Sequence, residues 1–358
     1  MNINQIKRLM EKRKNSHKGE NGYALIVGGS EDYVTAPALA GLAALRAGCD
    51  SVTVAAPEKV AWAINCIAID LITHKVRGST LNIKSAKELA KFSDRFDAVL
   101  LGNGLTRMSD KFCQTFLRKA QALKVVDADA LKSASFKDFK DCIITPHETE
   151  LEIMLTNSGK EFLLPKLRVA NPKEKADILQ GNLRYFLHNN NVLVLKGATD
   201  IIISKNKIAF NRTGNPGMTK AGTGDVLAGL IVGFLAKTKD MFKSAVAASY
   251  VNGMYGDLLL KKRKGYTFIA SDILNDLESL RKQIGLNAKM AKKSAREKEK
   301  SKLKKEAEKT TVKVAKKVVK AKKVVKKVIK KKAVKKKAPA KKKVVKKTIK
   351  KKKTRKKK

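Results

Sequence analysis

The chain has 358 residues, 43% of them apolar, and a formal net charge of +47, so it can bury a sizeable core; 37 of its 79 Lys and Arg lie between Lys289 and Lys358, against four Glu there, which leaves a moderately basic body upstream. Cys49, Cys66, Cys113 and Cys142 form no C-x-x-C pair, which argues against a disulfide framework or a zinc knuckle and fits a reducing cytoplasm. The first twenty residues hold no apolar stretch of signal-peptide length, and the longest nearly continuous apolar run, Val226 to Ala236, falls short of the ~20 residues that span a bilayer, so a soluble protein without a membrane span is expected.

Residues 1–20 read as a basic N-terminal extension, helical with a flexible end. From Tyr23 short β-branched runs alternate with helical patterns: a strand over Tyr23 to Val27, a helix over Ala36 to Ala47, a strand over Ser51 to Ala55. Asp97 to Leu101, Lys124 to Asp127, Ile143 to Thr145 and Val192 to Leu195 read as further buried strands, most of them followed by a helical segment. That rhythm predicts an α/β fold, a mostly parallel central sheet covered by helices on both faces. Asp200 to Ser204 and Lys207 to Phe210 flank the polar pair Lys205 and Asn206, an antiparallel hairpin signal. Long helices are expected through Met241 to Leu260 and Asp272 to Ile284.

In open α/β sheets ligands collect beyond the carboxyl ends of the strands. The polar segments of this chain fall there: Gly28, Gly29 and Ser30; Gly102, Asn103 and Gly104; Asp127 and Asp129; Pro146 and His147; Lys196 and Gly197. One crevice could collect them all.

The stretch from Gly214 to Gly229, GNPGMTKAGTGDVLAG, carries the sharpest chemical signal. Apolar residues after Asp225 recur at helical spacing, so Ala221, Gly222, Thr223 and Gly224 form a turn into a helix N-terminus. Its unpaired amides and the positive end of the helix dipole suit a phosphate. A carboxylate beside a bound nucleotide repels it unless it has a task, and the task that fits is accepting the proton of a hydroxyl that attacks the terminal phosphoryl group. The bland alternative is a glycine turn before a buried helix, with Asp225 favourable to the dipole. Among the other candidates, Lys196 could offset phosphate charge or be a solvated surface charge, and His147 could contact pyrophosphate or ribose or be structural. Asp127 and Asp129 could hold Mg²⁺ through water, although Asp129 could equally cap a helix.

Beyond Leu286 the composition collapses to Lys, Ala, Val and a little Glu, with one proline and no aromatic residue. Such a segment cannot form a core, so disorder in isolation is expected, with helix on a polyanion. Three segments follow: 1–20, a folded domain over 21–287, and a Lys-rich tail over 288–358.

Assembled in order, VGGSEDYVTAPALAGLAALRAGCDSVTVAAPE from Val27, LGNGLTR from Leu101, VVDADAL from Val125, TPHETEL from Thr145, VLKGATD from Val194 and the glycine turn resemble the ADP-dependent NAD(P)H-hydrate dehydratase family over roughly residues 20–285. The fold this implies is the ribokinase-like three-layer α/β/α sandwich. The activity it implies is repair of hydrated NADH or NADPH: ADP (ATP in eukaryotic members) phosphorylates the ring hydroxyl, phosphate leaves, and the reduced cofactor is restored. Carried over by position, Ala36, Gly104 and His147 match contacts to the hydrated dinucleotide, and Asp225 matches the residue that meets the reacting hydroxyl. Lys196, Gly197, Ala198, Thr199 and Asp200, with Gly222, Thr223 and Gly224 of the phosphate turn, match the nucleotide site. Mg²⁺ is the implied cofactor, homo-oligomers are common in the family, and a separate epimerase would interconvert the two hydrate epimers.

The chain departs from the family pattern at several points. Thr35 stands where glycine is usual, Asn103 replaces the proline of a GPG turn, Thr149 replaces a glycine, and Lys220 and Ala221 replace small residues and a glycine. Ala221 fits the turn only if its φ stays negative, and Lys220 would add positive charge beside the phosphates. Two other functions share these features. A vitamin or sugar kinase of the same fold, similar to hydroxyethylthiazole kinase, would use the same turn and Asp225. A nucleic-acid-binding protein could act mainly through residues 289–358, whose composition resembles linker-histone ends and should bind DNA or RNA without sequence preference, a tether that would hold the protein near the nucleoid or ribosomes.

Overall fold

A computed structural model describes residues 3–10, 15–263, 265–275 and 322–327. Parts of the expected N-terminal extension, the 287/288 boundary, the end of the helix expected to reach Ile284 and nearly all of the Lys-rich tail lie outside the described residues. The chain divides into two units, Met1–Lys289 and Met290–Lys358. In the second, residues 322–327 are helical and exposed, as Lys and Val at helical spacing permit without any core.

The first unit is built on a nine-stranded sheet: β1 (Tyr23–Val27), β2 (Ser51–Pro57), β3 (Ile72–Val76), β4 (Ala98–Leu101), β5 (Leu123–Val126), β6 (Cys142–Ile144), β7 (Val192–Leu195), β8 (Asp200–Ile203) and β9 (Ile208–Asn211). Its order is β3-β2-β1-β4-β5-β6-β7-β8-β9. Strands β1 to β7 pair in parallel, and β8 and β9 add the expected antiparallel hairpin at one edge. The two-sided burial of β1 explains its unbroken apolar run. Ala24 and Ile26 enter one core cluster, Leu25 and Val27 the other, as the pleat of a doubly covered parallel strand requires.

On one face the helices Thr35–Ala47, Thr223–Thr238 and Met241–Arg263 cover the sheet. On the other lie Ile83–Ser93, Asp110–Lys119, Glu148–Asn157 and Pro172–Asn182. Glycine sets the closest helix contact: a Cβ on Gly229 would stand 2.2 Å from Ala40 O, and one on Gly233 2.6 Å from Ala47 Cβ. The helix carrying the phosphate turn therefore lies directly on the helix that follows β1.

Three elements differ from the sequence reading. The N-terminal helix Ile3–Met10 is docked on the body, because Ile6 and Met10 join the first core cluster and Lys237 Nζ donates to Leu9 O at 2.7 Å. Strand β3 was not anticipated: it is an edge strand with a partly exposed face, so ITHKV carries little apolar signal. The helix expected from Asp272 begins at Ala270. All four cysteines are free thiols, and burial pushes those of Cys49, Cys113 and Cys142 up to about 12. No helix among the described residues is long and apolar enough to cross a membrane.

Candidate active site

Strand order reverses between β1 and β4, the switch point at which open α/β sheets leave a crevice. The two loops there lock together through Gly29 N–H, which donates to Asn103 O at 2.9 Å. Register then brings the next strand ends alongside. Leu101 pairs with Val126 and Val126 with Ile144, so Asn103, Asp127 and Thr145 become neighbours just past them.

Asp127 is the buried hub. Its Oδ1 accepts from Thr145 Oγ1 at 2.7 Å and from Lys196 Nζ at 3.0 Å, while Oδ2 accepts from Asn103 Nδ2 at 3.1 Å. Lys196 also lies 3.6 Å from Glu150 Oε2. Burial pushes the Lys196 pKa down, but Asp127 and Glu150 more than reverse this, so its net shift is upward and the ammonium is secure. A Cβ on Gly224 would stand 3.8 Å from Lys196 Nζ, which puts the cation at the N-terminus of the helix Thr223–Thr238.

That helix starts as its sequence dictates. Gly222 is the N-cap with φ 90, a conformation that glycine adopts freely. Ala221 is absent from the described non-glycine residues of positive φ, so the alanine fits without strain. The Thr223 hydroxyl lies 2.6 Å from Met218 O and 2.8 Å from Lys220 O and donates to these carbonyls, tightening the turn. Lys220 Nζ donates to the carbonyls of Tyr266 and Phe268, tying that segment to the turn.

Asp225 sits in the first helical turn, and its Oδ1 accepts from Asn103 Nδ2 at 2.6 Å. Burial pushes its pKa up to about 6; the Asn103 donor and Lys196 hold it down, and Asp127 pushes it up. A desolvated carboxylate poised near neutrality is suited to take a proton from a hydroxyl. Gly104, next to Asn103, packs on Ala36: a Cβ on Gly104, whose φ is 73, would lie 3.3 Å from Ala36 Cβ and 2.6 Å from Tyr33 O.

A cavity of about 420 Å³ opens at the same strand ends. Among its lining residues are His147, Lys196, Gly197, Ala198, Asp200, Thr223 and Gly224, together with the loop of Gly214 and Asn215 and the helix face of Ser249, Asn252 and Gly253. Thr199, Gly222, Asp225, Ala36 and Gly104 do not line it. The Asp200 carboxylate is occupied with shaping the loop, accepting from Gly197 N–H at 3.1 Å and Asn211 Nδ2 at 2.9 Å, and burial raises its pKa. His147 caps the helix Glu148–Asn157: its Nδ1 accepts from the amides of Thr149 and Glu150, and its backbone N–H donates to Glu150 Oε2 at 2.9 Å. With Nδ1 engaged, Nε2 carries the proton of the neutral ring.

Asp127 and Asp129 do not build a metal cage. The first is consumed by Thr145, Lys196 and Asn103, and the second pairs with Lys132 at 2.8 Å. The described residues hold no cluster of three metal-ligating side chains. Glu150 escaped the sequence reading, which placed Asn103 at the strand ends without a role. Glu150 was legible, since a Glu three residues after the helix N-cap is the spacing of a capping box. The bonds of Asn103 to Asp127 and Asp225 carried no such signal.

Residues 24–278 match the family described as NAD(P)H-hydrate dehydratase. The bifunctional NAD(P)H-hydrate repair enzyme Nnr of Methanothermobacter thermautotrophicus is 36% identical over 289 residues, covering 78% of this chain and 53% of that protein. The chain thus spans about half the length of the bifunctional relatives it matches. The ADP-dependent (S)-NAD(P)H-hydrate dehydratase of Cenarchaeum symbiosum is 32% identical over 277 residues, covering 76% of this chain and 92% of that one. Among solved structures, the ADP/ATP-dependent NAD(P)H-hydrate dehydratase of Bacillus subtilis, co-crystallised with ATP and Mg²⁺, superposes with a TM-score of 0.65 at 26% identity, covering 79% of this chain and 97% of that one. With its ribokinase-like three-layer architecture and the match over most of its length, the chain belongs to the NAD(P)H-hydrate dehydratase family.

Proposed function

We propose that residues 21–287 form a nucleotide-dependent dehydratase that acts on the S epimer of hydrated NADH and NADPH, with ADP as phosphoryl donor. The observation that carries this reading is the position of Asp225: first turn of a helix whose start, Thr223 and Gly224, lines the cavity, near the Lys196 cation, and one hydrogen bond from the Asn103–Gly104 loop. In this reading the nucleotide occupies the cavity over Lys196, Gly197, Ala198, Asp200, Thr223 and Gly224, with Thr199 and Gly222 holding the turns behind it. The hydrated ring rests against Ala36, Gly104 and His147.

The chemistry follows from the leaving groups. Hydroxide leaves a carbon poorly and phosphate leaves well. Asp225 accepts the ring hydroxyl proton as that oxygen bonds the terminal phosphorus and the bridging P–O bond of ADP breaks, leaving AMP. The ring nitrogen lone pair then expels phosphate, and a proton lost from the adjacent carbon restores the ring double bond. Lys196 and the first-turn amides offset the phosphate charge throughout. Mg²⁺, whose protein ligands are not provided by Asp127 or Asp129, would enter on the nucleotide phosphates and water.

The test is stoichiometry. Hydrated NADH with ADP is expected to yield one NADH, one AMP and one inorganic phosphate per turnover. A stable phosphorylated product would instead mark a vitamin or sugar kinase.

We further propose that residues 289–358 bind DNA or RNA without sequence preference, as their 37 cations against four Glu support. In this reading the enzyme is cytoplasmic and held near the nucleoid. Deleting residues 289–358 is expected to abolish salt-sensitive DNA binding and leave turnover intact; loss of turnover would contradict this modular arrangement.

A further inference from the structure

We propose that Asn103 is a positioning residue, spanning the Asp225 and Asp127 carboxylates with one amide nitrogen so that Asp225 faces the reacting hydroxyl; this rests on reading Asp225 as the base. Nδ2 has two protons, and the structure gives it two acceptors, Asp225 Oδ1 at 2.6 Å and Asp127 Oδ2 at 3.1 Å. The opposite amide orientation would set Oδ1 against both carboxylates. Asn103 is fully buried, and Oδ1 has no partner. A residue kept for packing alone would satisfy both ends of its amide, whereas this one leaves its carbonyl unpaired to keep its N–H groups on the carboxylates.

The backbone is fixed as well. Asn103 O accepts from Gly29 N–H at 2.9 Å, so the side chain projects from a loop pinned at the switch point. Lys196 bonds Asp127 and Glu150, leaving Asn103 as the side-chain donor to Asp225 among the described residues.

The charged groups that face Asp225 are Asp127, beyond β5, and Lys196, beyond β7. Glu150, from the helix Glu148–Asn157, bears on it through Lys196, and His147, the N-cap of that helix, lies 3.6 Å from Glu150 Oε1. On the helices packed along the Asp225 helix, Asp257 accepts from Gly214 and Asn215, and Asp272 from Arg263. Removing the Asn103 donor therefore leaves Asp225 facing Asp127 with less to stabilise its charge, and its proton is held more tightly.

The experiment compares the pH dependence of kcat/KM for the full-length protein, Asn103→Ala and Asp225→Asn, with hydrated NADH and ADP as substrates. Circular dichroism and ADP binding report on folding. For Asn103→Ala the acid limb is expected to move up by about one pH unit, the value of a lost hydrogen bond to a charged group, and kcat to fall with ADP affinity retained. An unshifted profile in a folded Asn103→Ala variant would overturn the proposal. Should that variant not fold, Asn103→Leu keeps the size and removes only the donor; an upward shift supports the proposal and an unshifted limb overturns it. Turnover retained in Asp225→Asn would instead overturn the base assignment on which the proposal rests.

Discussion

Lys196 Nζ stands 3.0 Å from Asp127 Oδ1, joining residues 69 apart in sequence. The pair is mostly buried and extends to Glu150, so the cation neutralises two carboxylates that have little access to water. Lys196→Met strands both, and breaking a buried pair by removing one partner costs about 3–5 kcal/mol. Urea denaturation at pH 7 is expected to show a loss of this order, together with weakened ADP binding. Adding Asp127→Asn to that variant should recover part of the stability. A Lys196→Met protein as stable as the parent would show that the cluster is solvated.

The Asp225 carboxyl also makes stability depend on pH. Its pKa in the folded protein is about 6 against an ordinary 3.8, so the folded state holds the proton more tightly than the unfolded chain. Stability therefore falls as pH rises from about 4 to about 6, and the full cost, about 3 kcal/mol, persists above that window. Asp225→Asn keeps an acceptor for Asn103 and removes the charge. Denaturant midpoints are expected to show it more stable than the parent by about 2–3 kcal/mol at pH 8 and little different at pH 4. Equal stability at pH 8 would mean that the carboxylate is not strained by its surroundings.

Helix spacing carries the site as much as polar chemistry does. A Cβ on Gly229 would meet Ala40 O at 2.2 Å, whereas one on Gly181 would meet nothing within 4 Å. Gly229→Ala is expected to cost about 1–3 kcal/mol as the two helices are forced apart. Leu39, on the displaced helix, packs where a Gly222 Cβ would lie, so ADP affinity should fall too. Gly181→Ala should be neutral, or stabilising by up to about 1 kcal/mol. Thermal melts and ADP titrations of the two variants test the contrast.

The contrast between β1 and β3 shows what the sequence could convey. Tyr23–Val27 and Val192–Leu195 are central strands buried on both faces, so apolar runs bounded by polar residues mark them to the residue. Ile72–Val76 lies at an edge, carries His74 and Lys75, and leaves Ile72 exposed, so neither alternation nor a continuous run announces it. The phosphate turn was legible because its chemistry is local, with glycines, a helix start and Asp225 within a few residues. Asn103 was not, because its partners Asp127 and Asp225 are 24 and 122 residues away and meet it only through strand register and helix packing. The task of Lys220 was hidden in the same way: its acceptors at Tyr266 and Phe268 come from a segment that the sequence alone does not bring near the turn.

The most direct measurement is recovery of absorbance at about 340 nm, the reduced nicotinamide band, when hydrated NADH is mixed with the protein, Mg²⁺ and either ADP or ATP. The expected result is nucleotide-dependent recovery in the parent and none in Asp225→Asn, with the effective nucleotide naming the phosphoryl donor. No recovery with either nucleotide, in a parent protein that binds ADP, would contradict the dehydratase reading and leave a small-molecule kinase of the same fold in its place.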